Sequence, residues 1–429
     1  MRRPVTVLLL VVLSLVTHGT VTREVEAHGT WKSSGSADVV LEWNQLLQTT
    51  IPSNASLAAP RFYSMMHIAM FDAANSVEHD YSRYHVQLWY GAGLSAELAA
   101  AQAARDVLVA LLPASQAVYD AALAARIAAA SPWQRWSVHV GSAVAREILA
   151  WRLNDGWEAT PPAYVLPPFP GLWQPAPGAA AFTHYPSVTP FGLLTGTQYL
   201  APAPPTLTSE RYSQHFDEVK RLGSATSAER TPEQTQMSRL FAGVGTRTNL
   251  YMLWNNVAAD VVRGRSLNLL EAARLFVLVN VGIIDGVQAS MSSKYIYGLW
   301  RPVTAIRRAD EDLNPLTDAD PTWTPLLSTP AYPSYAGNQA CVASAAARAL
   351  ALVAGGDDFA FTAVWQAPDG TELAARPYTS FRQMADDQAR SRVLGGIHFT
   401  FDNEPSQEVC TKVVDFVARN FMVAKTPRH

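Results

Sequence analysis

The chain has 429 residues, 48% of them apolar and 16% charged, ordinary proportions for an enzyme-sized globule with a large core. Thirty-three basic residues against 36 acidic ones leave a net charge of −3, so no global positive field recruits nucleic acid or an anionic membrane, and any anion site must be local. Two cysteines, Cys341 and Cys410, exclude a disulfide framework and a thiolate metal cluster; the spacing alone does not decide between one pair formed after export and two buried thiols.

In chain order, Arg2 and Arg3 precede an apolar run from Val5 to Val16, and Val25-Glu26-Ala27 offers a small-residue cleavage site. This predicts a signal peptide over about 1–27 and a secreted or periplasmic mature chain. The run is shorter than the roughly 20 residues of a spanning helix, and no integral span is expected once it is removed.

Helical spacing of apolar residues then predicts helices over 38–50, 59–77 and 96–112. A further one runs between Ser131-Pro132, a cap followed by a first-turn proline, and the terminating Gly156. Residues 159–205 are crowded with proline and glycine and read as a long irregular connection over the surface. More helices are expected over 267–290, 339–353 and 405–421. The apolar stretch 275–284, broken by Asn280 and followed by Asp285, suits a core helix. No strand-length alternation, internal repeat or heptad run is evident. The expectation is an all-α chain with a single large helical domain over 37–420.

The second half carries a chemical set. Lys294 and Arg301-Pro302 stand in "KYIYGLWRP", followed by "PAYPSYAGNQAC" from Pro330 to Cys341 and by "SRVLGGIHFTFD" with Arg392, His398 and Asp402. Arginine supplies paired planar donors and lysine a point charge, a combination suited to a tetrahedral oxyanion. A histidine nitrogen can attack or ligate the central atom. Pro302 disfavours helix at Arg301, which places that arginine just past a helix end. Asp402, one turn beyond His398, either orients the ring or balances an arginine. His67, Asp72 and Asp285 are further titratable candidates, read first as buried structural groups. "DEDLNPLTDAD" at 310–320 lacks the glycine and terminal glutamate of a calcium loop and reads as a solvated loop.

The pattern Lys294-x6-Arg301-Pro302 followed by Ser391-Arg392-x5-His398-x3-Asp402 resembles the signature of vanadium-dependent haloperoxidases and the type 2 phosphatidic acid phosphatase superfamily. The segments "ADVVLEWNQ", "MMHIAMFDAANSV", "PGLWQPAP" and "GGIHFTFDNE" are similar to the bacterial haloperoxidase branch. The resemblance implies a helical-bundle core of the haloperoxidase and acid phosphatase type, with the active-site part at about 267–420. It also implies orthovanadate as cofactor, with His398 bonded to vanadium and Lys294, Arg301 and Arg392 donating to its oxygens. Hydrogen peroxide and a halide would be the substrates, and lysine would polarise the bound peroxide. In the phosphatase branch His398 would instead be the nucleophile toward a phosphate ester.

A gapless alignment puts Ala336, Gly337, Asn338 and Gln339 at the family's Pro-Ser-Gly-His motif, and anchoring instead on Pro333-Ser334 requires an insertion before Gly337-Asn338 and still supplies no histidine. A helix starting near Gly337 would still offer backbone N–H groups to an anion, with Gly337 and Asn338 at the cofactor. Gln339 stands where the acid/base histidine is expected and cannot exchange a proton near neutral pH. Loss of a positioned acid/base costs about 10²- to 10⁴-fold in rate. A haloperoxidase-like protein with weakened chemistry, a phosphatase of the same superfamily and a non-catalytic oxyanion-binding protein all fit these residues.

Overall fold

The computed structural model describes residues 35–52, 56–90, 93–175 and 179–425, and the expected signal segment 1–27 lies outside them. Thirteen α-helices and one two-stranded sheet are present among the described residues. Up to residue 241 the chain contains α1 (Asp38–Thr50), α2 (Ala58–Glu78), α3 (Ala96–Leu111), α4 (Gln116–Ala129), α5 (Ser137–Arg152), α6 (Glu210–Gly223) and α7 (Pro232–Phe241). From residue 250 onward it contains α8 (Leu250–Gly264), α9 (Leu269–Tyr297), α10 (Pro302–Arg307), α11 (Asn338–Ala354), the strands β1 (Asp358–Gln366) and β2 (Glu372–Ser380), α12 (Phe381–Leu394) and α13 (Thr400–Asn420). None of the described helices is long and apolar enough to cross a membrane.

The axis of the molecule is α9. Asn268 and Glu271 form a capping box at its start, and Gly298 in the left-handed region stops it. Between these ends nearly every residue is buried, the pattern of a helix enclosed on all sides. It packs against α2 on one side and against α11 and α13 on the other. Cys341 of α11 and Cys410 of α13 are joined by a disulfide that closes 69 residues of chain, a constraint on the unfolded state of about 4 kcal/mol. The bridge lies directly on α9 at Gly286, where a Cβ would come within 2.9 Å of Cys341 Sγ.

Two expectations are corrected, and a helix appears at 381–394 where none was expected. First, β1 and β2 form an antiparallel hairpin; Phe361, Ala363 and Trp365 of β1 alternate inward, while Pro377 and the polar residues of β2 conceal its partner. Second, α12 has weak apolar periodicity because it buries Gln388, Ser391 and Arg392 along with Phe381 and Met384. Third, the irregular segment 159–205 does not only cover the surface. Buried Asp285 accepts backbone N–H groups of Phe191 (2.8 Å), Gly192 (2.6 Å) and Leu193 (2.9 Å), and Tyr185 and Phe191 are core residues.

The structure also contains a repeat that the sequence conceals. Asp72 of α2 accepts from Tyr84 (2.7 Å), His85 (2.8 Å) and Val86 (2.7 Å), the same three-donor clasp on a following or preceding loop. His67 pairs with Asn44 of α1 at 3.2 Å, and the corresponding Asn280 of α9 pairs with Asn255 of α8 at 3.0 Å. Arg61 and Arg274 each stand eleven residues before their aspartate, and Trp43 and Trp254 precede the paired asparagines. The helix pairs α1–α2 and α8–α9 are thus two versions of one unit. His67, Asp72 and Asp285 are accounted for by this scaffold: burial holds the His67 ring down to about 3 and pushes the Asp72 carboxyl up to about 7.

The clasp predicts that Asp285→Asn, which turns one acceptor into a donor facing N–H groups, costs at least about 2 kcal/mol. Chemical denaturation of wild type and variant measures it; equal midpoints would show that the loop is held by other contacts.

Candidate oxyanion site

Four elements bring the five predicted residues together. Lys294 lies in the last turn of α9, Arg301 immediately before α10, Arg392 in the last turn of α12, and His398 and Asp402 at the start of α13. Pro302 occupies the first turn of α10, which leaves Arg301 extended, with φ −85° and ψ 156°. The sharp reversal between α12 and His398 needs Gly396, at φ 77°, where a Cβ would lie 2.3 Å from the Gly223 carbonyl oxygen.

All five side chains are buried. Asp402 Oδ2 accepts from His398 Nδ1 at 2.8 Å, from the Phe399 backbone N–H at 3.0 Å and from Ser334 Oγ at 2.6 Å. Of the two roles open to Asp402, the geometry gives it the orientation of the ring. With the proton on Nδ1, His398 Nε2 is the acceptor, and Arg301 Nη1 donates to it at 3.1 Å. Arg301 also donates to the carbonyls of Tyr332 and Ile397, both at 2.8 Å. Lys294 Nζ donates to the carbonyls of Pro333 (3.0 Å) and Ser334 (2.6 Å). The Tyr332 ring covers both cations, 5.3 Å from Lys294 Nζ and 5.0 Å from Arg301 Cζ.

Three buried N–H-bearing nitrogens in this cluster have no partner within the protein: Arg301 Nη2, Arg392 Nε and Arg392 Nη1. Burial, then the neighbouring arginines and lysine, hold the His398 ring well below its usual range, so the imidazole is neutral. Burial likewise pulls the Lys294 ammonium down, with Arg301 adding to the effect, and brings Arg392 down to about 10. Desolvation pushes Asp402 up to about 6 against the opposing pull of Ser334 and the two nearer cations. Asp402 thus acts on Lys294 and Arg301, and Arg392 lies beside Arg301 without it. Donors in this arrangement fit a tetrahedral oxyanion with a histidine nitrogen at its centre. Among the described residues no group of three or more His, Cys, Asp or Glu side chains is gathered as for a metal cation.

The "AGNQ" segment departs from the expected arrangement. Gly337 starts α11, but its N–H donates to the Asp402 carbonyl at 2.8 Å. Asn338 turns onto α9, accepting from Ser290 Oγ at 2.6 Å and facing Met291 Sδ at 3.1 Å. The Gly337 N–H and the Asn338 side-chain amide are therefore engaged within the protein. Gln339 leaves its buried Oε1 without a donor. Tyr332 is a site residue that spacing alone did not single out, and Ser334, the alternative anchor of the motif, supplies a hydroxyl that the gapless register lacks at Gly337.

Removal of the Ser334 hydroxyl withdraws a donor from ionised Asp402, so Ser334→Ala is expected to raise the Asp402 pKa by about one unit. Carbon-detected NMR titration of the carboxyl measures it; an unchanged or lower value would remove Ser334 from this network.

Residues 274–424 match the family model described as the VCPO second helical-bundle domain. No curated protein matches the chain in sequence. Among solved structures, a bacterial vanadium-dependent iodoperoxidase superposes with a TM-score of 0.75 at 21% identity, covering 91% of this chain and 97% of that one. A bacterial vanadium-dependent chloroperoxidase in its holo form gives a TM-score of 0.68 at 15% identity, over 86% and 92% of the two chains. Its apo form gives 0.66 at 16% identity, over 84% and 92%. At these identities the structural likeness is one of fold. The chain has the fold of the bacterial vanadium haloperoxidases, and its residues 274–424 match the model of VCPO second helical-bundle domains.

Proposed function

We propose that this protein binds orthovanadate at His398, Lys294, Arg301 and Arg392 and oxidises halide with hydrogen peroxide, at a rate limited by the missing acid/base residue at position 339. The observation that carries the reading is the surplus of buried positive charge around a neutral imidazole, with three arginine nitrogens lacking protein acceptors. A bound vanadate would supply a Lewis-acidic centre at which peroxide is activated toward halide.

The chain's own residues have distinct tasks. Asp402 fixes the proton on Nδ1 and so keeps the Nε2 lone pair directed at the cluster. Arg301 occupies that lone pair in the protein alone, and its donation is the contact a ligand at Nε2 must displace. Arg301 and Arg392 offset the anion's charge, and Lys294, held by two carbonyls, adds a fixed positive charge beside them. Gln339 can accept or donate a hydrogen bond but moves no proton, so turnover is weakened more than binding. The Cys341–Cys410 disulfide supports the exported location inferred from residues 1–27, since such bonds persist in oxidising compartments.

The test combines vanadate-induced thermal stabilisation with oxidation of bromide or iodide, read through a phenolic dye. Oxidation above the vanadate-only blank, lost in His398→Ala and raised at least about tenfold in Gln339→His, is the expected result. Release of p-nitrophenol from its phosphate, inhibited by vanadate, would assign the phosphatase chemistry instead. Stabilisation by vanadate with neither activity would leave an oxyanion-binding protein.

The Asp402 carboxyl, pushed up to about 6, sets a pH dependence. Above that pH it is ionised and holds the Nδ1 proton; below it the acceptor is lost, the ring is no longer fixed and vanadate affinity falls. Measured relative to Asp402→Asn, which cancels changes in vanadate protonation, the affinity ratio is expected to shrink as pH falls from 8 to 5. A constant ratio would contradict the assigned role of the carboxylate.

A further inference from the structure

Three parts of Tyr332 meet the cation cluster. Its carbonyl accepts from Arg301 Nε at 2.8 Å. Its ring centre lies 5.0 Å from Arg301 Cζ and 5.3 Å from Lys294 Nζ. Its phenol faces the guanidinium groups of Arg301 and Arg392: burial pulls both groups down, and Tyr332 is the strongest of the neighbours that oppose it. The side chain is half-buried and borders a chamber of about 220 Å³ at the start of α11, so a ligand entering from that side meets the cluster beside it.

The neighbouring tyrosines are committed elsewhere. The hydroxyls of Tyr297 and Tyr335 donate to the carbonyls of Ala201 and Pro202, and those of Tyr185 and Tyr295 to Ile284 and Ala181. Among the described residues no backbone carbonyl accepts from the Tyr332 hydroxyl, whose contact with Arg301 Nε runs through the main chain.

The ring and the hydroxyl need separate reasons. A phenylalanine ring would cover the two cations equally well, so charge retention does not explain the hydroxyl. Lysine and arginine only donate hydrogen bonds, whereas a hydroxyl has both lone pairs and a proton. With no anion bound, the phenol oxygen turns its lone pairs toward the arginines and lessens the cost of burying them. An oxyanion bonded to His398 Nε2 must displace the Arg301 Nη1 contact at 3.1 Å, which places it beside the guanidinium that the phenol faces. Rotation about the Cζ–O bond then turns the proton to an anion oxygen.

We propose that the Tyr332 hydroxyl is a further donor to the bound oxyanion, switching from acceptor to donor when the anion arrives. The inference rests on the oxyanion site proposed above and adds a neutral hydroxyl to its three cations. Positive charge offsets the anion as a whole, and the hydroxyl engages one of its oxygens.

Calorimetric titration of the mature chain with orthovanadate and, as a redox-inert probe, with inorganic phosphate tests the hydroxyl. Tyr332→Phe keeps the ring over both cations. It is expected to weaken each anion about tenfold to a hundredfold, the equivalent of one hydrogen bond to a charged group, with the thermal midpoint of the anion-free protein retained. Phosphate binding to the wild type should also perturb tyrosine absorption, and that difference spectrum should be missing in Tyr332→Phe. Equal anion affinity in wild type and variant, a difference spectrum that persists in the variant, or an affinity loss matched by a lowered anion-free midpoint would overturn the assignment. The two readings fail separately. Anion binding unaffected by Tyr332→Phe rejects the hydroxyl and leaves the oxyanion site standing, whereas a wild type that binds neither anion rejects both.

Discussion

The site depends on one electrostatic imbalance. Lys294, Arg301 and Arg392 are buried together around His398, and Asp402 is the carboxylate that faces Lys294 and Arg301. A buried unpaired charge is costly, and hydrogen bonds to the carbonyls of Tyr332, Pro333, Ser334 and Ile397 only partly offset that cost. Asp402 cannot neutralise all three, because it carries a single negative charge; its Oδ2 is committed to His398, Phe399 and Ser334, and its buried Oδ1 receives no donor. The remaining positive charge is a standing preference for an anion. Burial, with that charge adding to it, keeps the imidazole neutral, which is the form that has a lone pair to offer.

Holding like charges together requires a frame that does not yield. The five side chains come from α9, the segment before α10, α12 and the start of α13, so relaxation of the cluster would require several packed helices to move at once. The disulfide ties α11 to α13 across α9, close to the Asp285 clasp on the 191–193 loop. Tyr332 completes the frame from the irregular segment, placing a ring face over two cations and a carbonyl on one of them. The same ring forms a wall of the neighbouring chamber, so charge retention and pocket shape are coupled through one residue.

Much of this was legible in the sequence where a local rule operated. Apolar spacing located α1, α2, α3 and most of α9, and proline chemistry placed Arg301 just outside a helix. The four cluster residues were legible because their types and order are unusual, although only tertiary structure brings them within reach of one another. What escaped has a common cause. Helix α12 buries polar residues whose partners are distant in sequence, such as Gln388 bonded to Trp254 at 2.8 Å. Ser334 acquires its role from a carboxylate 68 residues away. The loop at 191–193 looks like surface until Asp285 is seen to accept its three N–H groups.

The concealed repeat bears on how a site arises on such a scaffold. In both units a helix carries an aspartate that clasps a loop, preceded by a side-chain pair to the neighbouring helix. Beyond that aspartate the two helices differ: α2 ends at Glu78, whereas α9 continues to Tyr297 before Gly298 stops it. The additional turns carry Lys294, nine residues past Asp285, and the position nine past Asp72 is Tyr81, which lies outside α2. The clasp therefore serves stability in both units. The proposed oxyanion site belongs to the unit in which the helix is long enough to bury a lysine against the backbone of the 332–334 segment, and where the chain beyond it returns with two arginines and a histidine.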